Sequence, residues 1–305
     1  MKITSFNIKV DKDSKLFIGI GDSFCEGSGA QPIEIWEKYG WDRWKLSKSD
    51  EGSEWALKNS FVNKICERHL KDFTPVNLGS GGKGNRFAIR ELFLNPTIDF
   101  KIAKEKIVVF AMSGIERLDF SNSIVSDNNG DHSTTIWSYN EEDVMKGYSS
   151  LLRPDGESIN NIRFAISEFM FDMFMLTNWC ELNNAKLLLF SGFTKEYNRE
   201  HFNKLLIQDN GGLDIDVVME NTRLLLDRMP WDKIIKPMGY ECVTDMLLHL
   251  EGRDDLVEHD TGIGSINYET IGENHYLTKC QHPSYKGHEL LSDIIYEKIV
   301  EWGYI

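Results

Sequence analysis

The sequence predicts an α/β fold, a three-layer sandwich in which helices cover both faces of a central parallel sheet. Two observations support this fold class. Short apolar runs alternate along the chain with longer stretches whose apolar residues recur at helical spacing, which is the order expected of strand–helix–strand units. The runs at 16–20 and 107–110 are also apolar without interruption, as in strands that are buried on both faces.

Four apolar runs are the predicted strands, and they occupy residues 16–20, 75–78, 107–110 and 185–190. Stretches with helix-spaced apolar residues are the predicted helices, which lie within residues 55–73, 85–93, 162–179, 217–229 and 284–302. Because helices stand between successive strands, the strands are expected to run parallel.

We expect a single domain over residues 1–305, a length that suits one large α/β unit. Residues 195–275 follow the alternation of strands and helices less closely than the rest of the chain. They contain the predicted helix at 217–229 and a charged, glycine-rich region around 252–272. We interpret this part as an insertion that forms a cap or rim before the last helix.

Composition narrows the classes of partner. The formal net charge of −14 is spread along the chain, whereas nucleic-acid binding requires clustered Lys and Arg, so no nucleic-acid partner is expected. No apolar run approaches the roughly 20 residues that cross a bilayer, so no membrane association is expected either. A neutral small molecule or an uncharged glycan fits this negative charge better, as a substrate, than a polyanion does. The sequence does not indicate an oligomeric state.

The cysteines and the first residues bear on the compartment. The five cysteines are scattered without metal-ligand spacing, and residues 1–13 lack the apolar core of a signal peptide. We therefore expect synthesis in a cytoplasm with reduced thiols, which also suits a protein that is later packed into a virus particle. The acidic run at 127–131 lacks the spacing of a calcium loop, and no metal or cofactor is expected.

A serine follows the first predicted strand in the sequence Gly21-Asp22-Ser23. Open α/β sheets bind ligands at the carboxyl ends of their strands, so the Ser23 hydroxyl is expected to face a crevice. Gly21 permits a sharp turn there, and Asp22 is expected to shape it. A segment from His282 to His288 precedes the last helix. Because imidazole titrates near neutrality, His282 is the predicted base that activates Ser23 as a nucleophile.

These motifs resemble those of the SGNH (GDSL-like) hydrolase family. Gly-Asp-Ser near the start, and His-Pro followed by Gly-His near the end, are similar to the family's blocks one and five. The glycine cluster between Val76 and Asn85 resembles block two, with Gly82 at the position whose N–H helps to bind the oxyanion. The resemblance implies a flavodoxin-like fold and a serine esterase. Its block-two sequence is similar to that of phage-encoded and carbohydrate-directed members of the family. This similarity implies an O-acetylated carbohydrate as substrate.

The oxyanion hole departs from the family pattern at one position. Where block three carries an asparagine, this chain has Ser113. The resemblance then implies a hole built from the N–H groups of Ser23 and Gly82 and the hydroxyl of Ser113, which is a chemically adequate donor. Asn85 is the next candidate for this role.

The acid of the triad departs as well. The family places an aspartate three residues before the histidine, and Lys279 stands at that position before His282. A lysine cannot orient an imidazole as a carboxylate does. A backbone carbonyl within residues 279–281 would give a Ser–His dyad, whereas Glu273, the nearest preceding acid, would complete a triad. Both alternatives are open.

Several neighbouring residues have two interpretations. Cys25 is either a thiol nucleophile or, as we prefer, a small buried hydrophobic residue. His288 is either a second base or, as we prefer, a residue that fixes the His282 loop. The tryptophans after Ser23 either stack on a sugar or pack in the core, and they are Trp36, Trp41, Trp44 and Trp55.

A second function from another class is also open. The altered blocks three and five would suit a non-catalytic binding or structural module, such as a virion component, that keeps the fold without the chemistry. The intact Ser23, Gly82 and His282 oppose this alternative.

Overall fold

A computed structural model describes residues 8–40, 42–95, 98–114, 118–121, 133–136, 162–193, 195, 197–208, 216–254, 275–278 and 282–305. Its main sheet has four parallel strands in the order β2-β1-β3-β6. These strands are β1 (Lys15–Gly21), β2 (Thr74–Asn77), β3 (Glu105–Met112) and β6 (Ala185–Ser191). They match the four predicted strands closely.

Strand register follows from the burial of side chains on both faces. Ile18 of β1 stands opposite Val76 of β2 and Val108 of β3, and Val108 stands opposite Leu187 of β6. Successive side chains of a strand point to opposite faces, so Phe17 joins a different core cluster from Ile18. Beyond β6, the Ile235 N–H donates to the Leu189 carbonyl over 2.7 Å and extends the sheet by a short bridge.

Helices cover the sheet on both faces. In chain order they are α1 (Ser23–Glu26), α2 (Ile33–Lys38), α3 (Arg43–Lys48), α4 (Asp50–Asn59), α5 (Phe61–Arg68), α6 (Asn85–Leu94), α7 (Ile162–Leu182), α8 (Arg199–Gln208), α9 (Asp216–Arg228), α10 (Val243–Leu250) and α11 (Tyr285–Glu301). Helices α6, α7 and α9 bury apolar residues in the same core cluster as Ile18, whereas α5, α10 and α11 share the cluster of Phe17. The predicted three-layer α/β class is confirmed.

The sequence-based prediction omitted a small hairpin. Strands β4 (Leu118–Ser121) and β5 (Ser133–Ile136) pair antiparallel outside the main sheet. These strands, Leu-Asp-Phe-Ser and Ser-Thr-Thr-Ile, are half or more polar and form no apolar run, which explains the omission.

The segment predicted as an insertion, residues 195–275, is described in part. Its helices α9 and α10 belong to the two helical layers, and Val243, Met246 and Leu247 of α10 are fully buried. Residues 255–274 lie outside the described ranges, so the cap or rim stays a prediction for them. Within the described ranges, no helix has the length and apolar character needed to span a bilayer.

Candidate active site

The sheet order has a topological switch point at the carboxyl ends of β1 and β3. The chain passes from β1 outward to β2 and then returns past β1 to β3, and open α/β sheets bind ligands at such a switch point. At this edge Gly21 pairs with Ala111, and a Cβ on Gly21 would lie 2.4 Å from the Ala111 carbonyl oxygen. Glycine is therefore required where the chain leaves β1 toward Ser23.

Ser23 is the first residue of the short helix α1. The Asp22 side chain caps this helix, because its Oδ1 accepts from the Phe24 N–H over 3.0 Å. Asp22 is itself buried, so the turn is held firmly. As a first-turn residue of the helix, Ser23 has a backbone N–H without an acceptor inside the helix.

His282 meets Ser23 across 259 positions of sequence. Its Nε2 lies 2.6 Å from the Ser23 Oγ, and each residue is only 3% exposed. The rings of Phe24 and Phe193 lie 5.6 and 5.4 Å from the imidazole. The two predicted partners therefore stand at hydrogen-bonding distance in a largely apolar setting.

Two short segments hold the His282 backbone. The Thr278 N–H and hydroxyl both donate to the His282 carbonyl, over 2.9 and 3.0 Å. Next to this pair, Leu277 and Pro283 form an antiparallel bridge, and Ser284 caps α11 by accepting from the Gly287 N–H. The imidazole therefore extends from a small antiparallel ladder that leads directly into a helix.

The glycine loop between β2 and α6 lies against α1. The Ser80 N–H donates to the Gly21 carbonyl, and the Gly81 N–H donates to Glu26 Oε2 over 3.1 Å. Among the described residues other than its chain neighbours, no heavy atom lies within 4 Å of where a Cβ of Gly82 would stand, so these residues leave open space beside it. The Glu26 anchor was not predicted, because its partner lies 55 residues away in sequence.

Asn85 contacts Ser113 at the end of β3. The Ser113 N–H donates to Asn85 Oδ1 and Asn85 Nδ2 donates to the Ser113 carbonyl, each over 2.9 Å. The Ser113 Oγ lies 3.3 Å from the same Oδ1, and the Tyr197 hydroxyl donates to the Ser113 carbonyl. Both side chains singled out for the oxyanion hole are therefore brought together.

Cys25 and His288 lie inside the structure. Burial raises the pKa of the Cys25 thiol well above its usual value, which disfavours a thiolate nucleophile. His288 is 0% exposed, and burial lowers its pKa to about 4. Its Nδ1 accepts from the Phe61 N–H and its Nε2 lies 3.5 Å from the Ser28 carbonyl. Burial suits the role of a small buried hydrophobic residue that we prefer for Cys25. The contacts of His288 connect α11 to Phe61 and Ser28, and its role in fixing the His282 loop stays a prediction.

The described residues do not include several of the residues singled out from the sequence. Lys279 and Glu273 lie outside the described residues, as do Trp41 and the run at 127–131. Trp36 is buried, and Trp55 is half-buried with the Lys58 ammonium 4.8 Å from its ring. Among the described residues, no group of three His, Cys, Asp or Glu side chains suits a metal ion.

Comparisons with known proteins leave the site to be judged on its geometry. No family model and no curated protein matches the chain. A crystal structure of an acetyl xylan esterase is similar over 93% of this chain and 98% of its own, with 10% sequence identity and a TM-score of 0.35. A similarity of this size supports no conclusion about activity or substrate.

Proposed function

We propose that the chain is a serine hydrolase that cleaves carboxylic esters, with Ser23 as nucleophile and His282 as general base. The observation that carries this proposal is the 2.6 Å distance between Ser23 Oγ and His282 Nε2 at the carboxyl edge of the sheet. A serine hydroxyl is a weak nucleophile until a neighbouring base accepts its proton, and this geometry supplies that base.

The reaction proceeds through an acyl-enzyme. Ser23 Oγ attacks the ester carbonyl carbon while its proton passes to His282 Nε2, and the carbonyl oxygen becomes an oxyanion. The protonated His282 then gives that proton to the leaving alkoxide, which departs as an alcohol. Water attacks the acyl-Ser23 ester with His282 again as base, and the products are a carboxylic acid and the free serine.

Three donors are available for the oxyanion. The Ser23 N–H lacks an acceptor in α1, and Gly82 borders open space beside the same helix. The third donor is a side chain at the end of β3. Asn85 Nδ2 uses one hydrogen for the Ser113 carbonyl, and its second hydrogen has no acceptor among the described residues. We therefore place Asn85 ahead of the Ser113 hydroxyl, whose proton already has Asn85 Oδ1 as an acceptor.

The substrate class rests on the resemblance of the sequence motifs to the SGNH family. That resemblance favours an acetyl ester on a carbohydrate, in the manner of phage-encoded and carbohydrate-directed members. The net charge of −14 suits a neutral glycan better than a polyanion. A virion location agrees with the same resemblance.

Covalent labelling tests this proposal. A fluorophosphonate probe should label the wild type and not Ser23→Ala, and hydrolysis of an aryl acetate should fall by about 10⁴-fold or more in Ser23→Ala and in His282→Ala. Ser292→Ala is a matched control, since Ser292 is a buried serine whose hydroxyl donates only to the Glu289 carbonyl. His249→Gln is the corresponding control for an exposed histidine.

The same experiment separates the alternatives. A wild type that neither reacts with the probe nor hydrolyses acetylated sugars would overturn the esterase proposal and favour a binding or structural module. Turnover that survives Ser23→Ala and is abolished by a thiol reagent would favour a thiol hydrolase instead.

A further inference from the structure

We infer that Glu251 is a positioning residue that holds the His282 loop in register with Ser23. This inference rests on the proposed function, in which His282 is the general base. Glu251 follows the last residue of α10 and stands 31 positions before His282, outside every motif of the sequence.

The Glu251 carboxylate accepts hydrogen bonds from three N–H groups in residues 275–277, which precede His282. Its Oε2 accepts from His275 Nδ1 over 2.6 Å, and its Oε1 accepts from the Tyr276 N–H and, over 3.4 Å, from the Leu277 N–H. The carboxylate is only 9% exposed. A shielded carboxylate with several N–H donors forms charge-assisted bonds, which are about twice as strong as neutral ones.

The segment 275–278, which Glu251 anchors, is hydrogen-bonded in turn to the segment 282–284, which carries the imidazole. The Ser284 N–H donates to the Tyr276 carbonyl over 2.8 Å, and Leu277 bridges Pro283. Thr278 then donates twice to the His282 carbonyl. Glu251 is therefore connected to the His282 backbone through the segment 275–278. It acts without contacting the imidazole.

The mounting of Glu251 is rigid. Val243, Met246 and Leu247 of the preceding helix are fully buried against the sheet, and the Thr244 N–H and hydroxyl both donate to the Gly192 carbonyl after β6. Residues 252–274 separate Glu251 from His275 in sequence, so the carboxylate fixes the loop at a point far along the chain. A base mounted on such a support keeps the geometry that proton transfer needs.

Replacing the carboxylate should impair catalysis more than binding. Glu251→Ala should lower kcat for an aryl acetate by roughly 10- to 100-fold with KM within about twofold, since small displacements of a catalytic group are costly. The rate of fluorophosphonate labelling should fall in parallel. Glu251→Gln keeps an acceptor for the Tyr276 N–H and loses the charge that pairs with His275, so its kcat should lie between those of Glu251→Ala and the wild type.

Asp254→Asn is the matched control. Asp254 also pairs a carboxylate with a histidine, at 2.6 Å from His249 Nδ1, but this pair lies within and just after α10. Its kcat should stay within about twofold of the wild type. Thermal midpoints of all three variants show whether a loss of kcat comes from global unfolding.

Hydrogen exchange supplies a measurement that does not depend on turnover. The amides of residues 275–278, 282 and 284 should exchange about tenfold faster in Glu251→Ala, whereas the middle of α11 should be unchanged. If the wild type proved inactive, the proposed function would fail, and these amides would still decide whether Glu251 holds the loop. Unchanged exchange in Glu251→Ala, or an unchanged kcat in an active enzyme, would overturn the inference.

Discussion

Asn85 and Ser113 are joined by a reciprocal pair of 2.9 Å hydrogen bonds between the Asn85 amide and the Ser113 backbone. The pair ties the first turn of α6 to the end of β3, at the sheet edge where Ser23 lies. An asparagine of α6 thereby reaches the strand end at which the motif resemblance implies an asparagine of β3. We propose that its amide takes the role of that residue.

Replacing Asn85 should therefore cost more than replacing Ser113. Asn85→Ala should lower kcat by roughly 10²- to 10³-fold with little change in KM, as for loss of an oxyanion donor. Ser113→Ala keeps both backbone bonds and should lower kcat by less than about fivefold. Asn85→Asp retains the acceptor for the Ser113 N–H but lacks the donors, so it should resemble Asn85→Ala. Equal losses of kcat in Asn85→Ala and Ser113→Ala would indicate instead that the Ser113 hydroxyl is the oxyanion donor.

Gly29 is required for the close approach of the His282 loop. Its φ is +96°, and a Cβ there would lie 2.4 Å from the Pro283 carbonyl oxygen and 3.1 Å from the His282 Cβ. Gly29→Ala should displace the loop, lower kcat at least about tenfold and destabilise the fold by about 1–3 kcal/mol.

Gly40→Ala separates backbone strain from this clash. Gly40 also has a positive φ, +62°, but no atom of the other described residues, its chain neighbours aside, lies within 4 Å of its added Cβ. It should lose stability in denaturant titrations and keep its kcat. A normal kcat in Gly29→Ala would show that the loop has another way to approach Ser23.

The layers of the fold were predictable because the main strands are largely apolar and the core helices have an apolar stripe. The approach of His282 to Ser23 was predictable because Gly-Asp-Ser after the first strand and His-Pro before the last helix resemble paired motifs of one family. The contacts that hold the site in place were not predictable from the sequence. Glu26 and Glu251 contact residues 55 and 24 to 26 positions away, and neither position has a local pattern that distinguishes it from other surface acids. Such contacts depend on loop geometry that periodicity does not encode.

His288 should make stability depend on pH. Its pKa is about 4 in the fold and about 6.5 when unfolded, because burial between Phe61 and Ser28 disfavours the charged ring. Between these values the unfolded chain binds the proton and the native protein does not, so stability falls as the pH drops from 6.5 to 4. The full loss is about 3 kcal/mol.

Urea titrations at pH 7 and pH 4.5 measure this dependence. His288→Asn offers an acceptor for the Phe61 N–H and a donor for the Ser28 carbonyl without titrating, so the difference between the two pH values should shrink in this variant. A difference as large as that of the wild type would show that another group is responsible.

The last prediction concerns what orients the His282 imidazole. Lys279 stands where a carboxylate would be expected by resemblance, and a backbone carbonyl within 279–281 is the simplest acceptor for the ring nitrogen that faces away from Ser23. Thr278, which immediately precedes this stretch in sequence, donates through its N–H and its hydroxyl to the His282 carbonyl. A carbonyl stabilises an imidazolium less than a carboxylate does, so we expect modest turnover that does not depend on Glu273.

Glu273→Gln tests this directly, with Glu241→Gln, an exposed acid paired with Lys236, as control. Under the carbonyl account both variants should keep kcat within about threefold of the wild type, and the pH dependence of kcat/KM should be unchanged. If Glu273 completes a triad, the amide introduced by Glu273→Gln would favour the wrong tautomer of His282. The kcat of this variant should then fall by about 10⁴-fold. A loss of that size, comparable to the loss in His282→Ala and absent from Glu241→Gln, would replace the Ser–His dyad with a triad whose acid comes from the segment before the histidine loop.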